Sequence, residues 1–245
     1  MNIPKDHPRY ESLMKRERLA ELVEKGLVTP TGLISHGRGE AFDYLMGETS
    51  LPQSVLAEKA GTAFMMNAKY PVVCVNGNAA ALDAKRLIEF AEAVNAKVEV
   101  NIFHRTEERM EKLIRYMESE GSKNVLGRNP DARIPSLSSD RALCAKEGIY
   151  DSDVILVPIE DGDRAEALVK MGKIVISIDL NPLSRTSVCA SVSISDEMSR
   201  ALENMISFAK SSSKQERDAV LKEFDNHRNR HELVNAICKN LMGSK

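Results

Sequence analysis

From Pro71 onward the chain alternates between two hydrophobic periods, and that alternation restricts its fold more than any other feature. PVVCVN (71–76) reads as a buried strand, after which Ala84, Leu87, Ile88, Ala91 and Val94 recur at helical spacing. KVEVNIF (97–103) is the next strand, and Met110, Leu113, Ile114 and Met117 line the helix that follows. A short strand over 124–126 precedes an irregular stretch to about Asp140. DVILVP (153–158) and KIVISID (173–179) are strands around a helix over 164–171, and 190–194 closes the series. Strand alternating with helix over more than 100 residues predicts a mostly parallel, doubly wound α/β sheet with helices on both faces.

The 245 residues suit one domain: a helical section over 1–70, the α/β core over 71–212 and C-terminal helices over 213–245. In the first section Pro8 suits a first helical turn and Gly26 a helix end. Pro30, Gly32, Gly37 and Gly39 suggest a connecting stretch, followed by a short helix over 40–46. Ser50 and Pro52 open another helix reaching Met66. Ser213 with Glu216 makes a capping box for one of the last helices.

A net charge of −2 gives no electrostatic reason to expect nucleic acid or an anionic membrane as a partner. The absence of Trp argues against a stacking platform for single strands. No apolar run is long enough to cross a bilayer and the first 18 residues are polar, so the expected location is cytoplasmic. Cys74, Cys144, Cys189 and Cys238 lie far apart without a CxxC pair and read as reduced thiols.

The common nucleotide signatures are missing. There is no GxxxxGK[ST], and Asn76-Gly77-Asn78-Ala79-Ala80 replaces GxGxxG, which weakens a dehydrogenase reading. His227 and His231 have i, i+4 spacing without a placed third ligand, so a solvated helix face explains them better than zinc.

Four polar constellations remain. Arg16 shares a helix face with Leu13, Ala20 and Val23, so it either pairs with a carboxylate or meets an anionic ligand. Arg38 stands between two glycines beside His36 and Glu40, where its fork can meet phosphate or carboxylate. Glu160, Asp161 and Asp163 crowd a strand end; they serve equally well as helix N-terminal acids or as holders of Mg²⁺ or an amine. Asp179, Leu180, Asn181, Arg185 and Thr186 follow the 173–179 strand, at the sheet end where ligands settle, and Asn76 and Asn78 occupy a neighbouring strand end.

His7-Pro8-Arg9-Tyr10, HGRGEAFDYL (36–45), VNGNAAAL (75–82), EDGDRAEALVKMGK (160–173) and IDLNPLSRT (178–186) together resemble the archaeal phosphopantothenate synthetases, or 4-phosphopantoate–β-alanine ligases. The likeness runs from about Ile3 to Met205 in the same order, and the last forty residues carry no matching motif. The resemblance implies a Rossmann-like fold and a dimeric, ATP-dependent ligase of coenzyme A biosynthesis. Such an enzyme joins (R)-4-phosphopantoate to β-alanine and releases AMP and diphosphate, with Mg²⁺ expected beside ATP. It implies ATP contacts at Arg16, Arg38, Asp179, Leu180, Asn181, Arg185 and Thr186, and near Glu197 and Met198. Phosphopantoate is expected near His36, Asn76 and Arg164, with His36, Arg38 and Arg185 as the catalytic group and Asp161 and Asp163 as candidate metal ligands. The alternative expectation is a non-catalytic nucleotide-binding regulator on the same sheet.

Overall fold

The structure is a computed structural model that describes residues 3–7 and 9–243, so Pro8 lies outside the described residues. Three helices come first: α1 (Tyr10–Glu24), α2 (Pro30–Met46) and α3 (Pro52–Asn67). Strand and helix then alternate through β1 (Pro71–Val75), α4 (Gly77–Ala93), β2 (Lys97–Val100) and α5 (Glu107–Ser119). A two-stranded antiparallel hairpin, β3 (Ala132–Arg133) and β4 (Leu143–Cys144), interrupts the series. It resumes with β5 (Val154–Pro158), α6 (Gly162–Lys170), β6 (Ile174–Ile178), α7 (Arg185–Cys189) and β7 (Val192–Ile194). Helices α8 (Met198–Ser211), α9 (Lys214–Glu223) and α10 (Asn226–Leu241) end the described chain.

The main sheet has the order β2-β1-β5-β6-β7, and every pairing in it is parallel. The period of two sorts the strand residues between two cores. Val73, Val75, Leu156, Ile176 and Ile178 face a core shared with α1, α3, α4, α5 and α8. Val72, Cys74, Ile155, Val157 and Val175 face the opposite core, closed by α6 and the β3–β4 hairpin. Burial on both faces is what makes these strands continuous apolar runs. The mixed α/β, Rossmann-like expectation therefore holds, and among the described residues no helix is long and apolar enough to cross a membrane.

The glycine-rich stretch after Pro30 is not a connection. Thr29 caps α2 through Gly32 N–H, Pro30 takes the first turn, and one helix runs unbroken to Met46. Its glycines allow close packing: a Cβ on Gly32 would lie 2.3 Å from Asn78 Oδ1. Gly26 ends α1 at a φ of 75°, as its position suggests. Ser213 and Glu216 form the reciprocal capping box at α9.

The motif-free C-terminal end buttresses the sheet and the loop after β6. Asn226 accepts from Ser193 N–H at 2.8 Å and donates to Ala190 C=O at 3.0 Å, which closes the exposed edge of β7. Leu233 and Ile237 of α10 pack with Met46 and Leu180, and Arg230 donates to Pro182 C=O at 3.1 Å.

Candidate functional site

The carboxyl ends of β5, β6 and β7 open into a cleft of about 1590 Å³, walled by α1, α2, α4 and α8. Ile159, Asp179, Leu180 and Asp196 reach it from the strand ends, Ser35, His36, Glu40 and Asp43 from α2, and Glu197, Met198 and Ser199 from the start of α8. Lys15, Arg86 and Arg200 supply positive charge to the same walls.

Asp179 stands at the floor beside a tight turn. Its Oδ1 accepts from Asn181 N–H at 3.0 Å and its Oδ2 from Ser184 Oγ–H at 2.5 Å. Burial raises its carboxyl above the usual range, while these two donors and the nearby Arg38 guanidinium oppose the rise. Gly39 of α2 lies over this turn, with its Cβ position 3.8 Å from Leu180 Cδ1, so α2 carries His36 and Arg38 across the end of β6. Burial lowers His36 below the ordinary imidazole value, opposed by Glu40 and Glu197, and its Nε2 has no hydrogen-bond partner. His36 is thus a neutral imidazole with an unclaimed ring nitrogen in the wall of the cleft.

At the opposite wall Glu197 caps α8, accepting from Ser199 N–H at 3.0 Å and Arg200 N–H at 3.2 Å. The same carboxylate pairs with Lys15 of α1 at 2.6 Å. Arg16 forms an ion pair with Glu40 at 2.9 Å, which links α1 to α2 and matches the salt-bridge alternative for its place on the helix.

Several sequence-predicted residues lie elsewhere. Arg164 is 1% exposed and its guanidinium meets the fully buried Glu160 and, at 3.4 Å, Cys74 Sγ. It lies in the core beneath the cleft, because the first turn of α6 faces the sheet. Arg141, from the hairpin loop, binds the same Glu160 carboxylate at 2.6 Å and Asp161 at 3.0 Å. Asp163 pairs with Arg185 at 2.5 Å. The Asp161 and Asp163 carboxylates are thus both engaged by arginines, and among the described residues no group of three or more His, Cys, Asp or Glu side chains is placed to hold a metal ion.

Arg185 is 72% exposed on α7, and like Arg16, Arg38, Asn181 and Thr186 it lies outside the residues that line the cleft. A Cβ on Gly162 would lie 2.4 Å from Arg185 Cβ, so α6 and α7 meet only because that position is glycine. Thr186 is buried and donates to Glu160 C=O at 2.7 Å. Asn181 is engaged within its own turn, its side chain accepting from Leu183 N–H at 2.9 Å.

Asn76 is a clamp, not a free polar group. Its Oδ1 caps α4 at Ala79 N–H, and its Nδ2 donates to the carbonyls of Pro158 and Ile159, both at 2.9 Å. Ile159 has a φ of 51°, an unfavourable conformation for a β-branched residue, and the clamp holds it there at the cleft edge. Asn78 is likewise committed, donating to Gly32 C=O at 2.8 Å. Asn76→Asp, which removes both donors, is expected to cost roughly 1–3 kcal/mol in urea unfolding. A midpoint equal to the parent's would show that the clamp contributes nothing.

The cleft cations Lys15, Arg86 and Arg200 were not singled out from sequence. Arg200 sits four residues after Asp196, a readable i, i+4 pair, but nothing in the sequence turns that pair toward a ligand. His227 and His231 are exposed on α10.

A parallel, doubly wound sheet with a polar cleft over its carboxyl ends defines a ligand-binding α/β protein. A sequence profile described as phosphopantothenate/pantothenate synthetase matches residues 53–240, and the chain belongs to that family. It is 48% identical over 243 residues to a 4-phosphopantoate–β-alanine ligase of Methanosarcina mazei, covering 98% of this chain and 96% of that one. It is 47% identical to the ligase of that name from Thermococcus kodakarensis, covering 92% of this chain and 88% of that one. A third relative so named, from Methanospirillum hungatei, is 50% identical over 206 residues, 84% of either chain.

Proposed function

We propose that the chain joins (R)-4-phosphopantoate to β-alanine, forming 4′-phosphopantothenate while ATP leaves as AMP and diphosphate, and that it does so in the cleft over β5, β6 and β7. The observation that carries this reading is the near full-length match to relatives of that name. The homodimer implied by the sequence resemblance is its proposed assembly.

The chemistry sets what the cleft must do. A carboxylate oxygen of phosphopantoate attacks the α-phosphorus, diphosphate departs, and an acyl-adenylate remains. The amine of β-alanine then attacks the acyl carbon, the carbon–oxygen bond to AMP breaks, and a proton leaves the nitrogen. Two anionic substrates must approach each other, so cations near the phosphates are required. Arg38, whose charge reaches Asp179, is the residue we assign to that work, and Asp179 suits a ribose hydroxyl. The backbones of Leu180 and Asn181 shape the adjoining turn, and Glu197 and Met198 form the facing wall. His36, neutral and with Nε2 unclaimed, suits acceptance of the amine proton.

AMP is expected to accumulate in step with 4′-phosphopantothenate only when phosphopantoate, β-alanine and ATP with Mg²⁺ are all supplied, as read by ion-pair chromatography. Release of ADP would reject the adenylate route. ATP binding without turnover for this acid and amine would favour the regulator instead.

A further inference from the structure

In the cleft wall lies an acid cluster with two more carboxyl groups than its single cation balances. Asp196, at the end of β7, has a fully buried carboxylate whose Oδ1 accepts from Glu197 N–H at 2.6 Å and from Arg200 at 2.6 and 3.0 Å. Its Oδ2 accepts from Ser50 Oγ–H. The other edge of the Arg200 guanidinium forks onto Asp43 of α2, at 2.5 and 3.2 Å. Glu58 of α3 reaches the same cluster from the side and is 1% exposed. Its Oε2 accepts from Asn204 Nδ2 at 2.9 Å, while its Oε1 is buried with no hydrogen-bond partner.

The groups that act on Glu58 are Asp196, from the end of β7, and Arg200 and the neutral Asn204, from α8. Asp43 of α2 stands behind Arg200, and Ser50 lies between Asn204 and Asp196. From α10, the buried Asn229 reaches only Gln53 C=O in the first turn of α3. The sole cation of the group, Arg200, is already shared by two carboxylates. Three ionised acids around it would leave two uncompensated negative charges in a water-poor space.

We propose that Glu58 and Asp196 share one proton, and that this acid pair is a positioning element of the cleft. It keeps Asp196 in the geometry that holds Arg200, and through Arg200 and Asp43 it locks α2 against the amino end of α8. The missing partner of Glu58 Oε1 is then the proton itself, carried toward Asp196. Helix α2 brings His36, and α8 brings Glu197 and Met198, so the clasp sets the distance between the two walls. Burial, and then the charge of Asp196, push Glu58 from its ordinary 4.5 up to about 9, in keeping with this arrangement.

The sign of the consequence follows. Between about pH 4.5 and 9 the folded protein holds a proton that the unfolded chain releases, so this group's contribution to stability falls as pH rises through that window. Above it the folded protein also loses the proton, Asp196 and Glu58 repel, and the clasp opens.

The test compares the full-length parent with Glu58→Gln, which keeps a donor toward Asp196 and cannot ionise. The melting temperature of Glu58→Gln is expected to gain on the parent steadily from pH 5 to pH 9. Infrared difference spectra at pH 7 are expected to show a protonated-acid carbonyl band that the variant lacks. For the kinetic consequence, which rests on the ligase reading, KM for ATP in the parent should rise at least tenfold near pH 9 to 10 with a smaller change in kcat. In Glu58→Gln that rise should be absent. A pH-independent difference in melting temperature, or no such band, would overturn the shared proton. An alkaline rise in KM that persists unchanged in the variant would overturn the positioning role. If Glu58→Gln fails to fold, Asn204→Asp supplies the second arm: a new acid beside Glu58 should raise its titration further, and no shift of the band's titration would overturn the proposal. The melting and infrared arms need no turnover, so an inactive protein with a protonated Glu58 would count against the ligase reading alone.

Discussion

Glu160→Ala is expected to lower the unfolding free energy by about 3–5 kcal/mol, the largest stability loss anticipated for one side chain near the site. The Glu160 carboxylate is fully buried and receives both Arg141, at 2.6 Å, and Arg164. Its second oxygen accepts from Asp161 N–H at 2.7 Å. Removing it leaves the buried Arg164 guanidinium with only the Cys74 sulfur, a weak acceptor. Urea unfolding reads the loss, and Asp161→Ala is the control. Asp161 also pairs with Arg141, but its side chain is 54% exposed, so its removal should cost at most about 1 kcal/mol. Equal losses for the two variants would show that burial of the charge triad is not what matters.

The same triad shows where sequence reasoning stops. Glu160, Asp161 and Asp163 appear as one acidic cluster at a strand end, yet each meets a different environment: a buried triad, a half-exposed pair and a surface pair with Arg185. The partner that decides the matter, Arg141, comes from a hairpin whose strands are two residues long, too short to leave a periodic signal. The parallel sheet was legible because its strands are buried on both faces and must be continuously apolar. Helix α2 was not, because glycines at 32, 37 and 39 read as breakers, whereas Gly32 packs against Asn78 and Gly39 against Leu180 inside one continuous helix. Of the proposed site, Asp179, Leu180, His36, Glu197 and Met198 do share one cleft. Asn76 and Arg164 were drawn toward it by strand-end position alone, which cannot tell a side chain that faces solvent from one that braces the backbone.

Arg38→Ala is expected to reduce kcat/KM for AMP formation by roughly 10²–10³-fold, the loss typical when one preorganised donor to developing charge is removed. The charges around the cleft set what this residue can do there, although it lies outside the residues that line the cleft. The walls hold Glu40, Asp43, Asp179, Asp196 and Glu197, an unfavourable setting for a triphosphate and a phosphomonoester. Lys15 is matched to Glu197, Arg16 to Glu40, Arg86 to Asp83, and Arg200 to Asp43 and Asp196. The exposed Lys5 and Lys85 line the cleft without an ion pair or hydrogen bond among the described residues. Arg38 is exposed, acts on Asp179 through space, and has no hydrogen bond or ion pair among the described residues. Its positive charge is therefore available to an arriving anion without first breaking a protein contact, as are those of Lys5 and Lys85. For the same reason its removal should leave the urea midpoint within about 0.5 kcal/mol of the parent. Arg38→Lys keeps the charge but loses the planar fork, and should fall between the two. Arg185→Ala is the control, because that guanidinium already belongs to Asp163 on the outer surface; its loss should cost less than about tenfold. Parent-like turnover in Arg38→Ala, or an equal collapse in Arg185→Ala, would move the phosphate-binding charge away from α2.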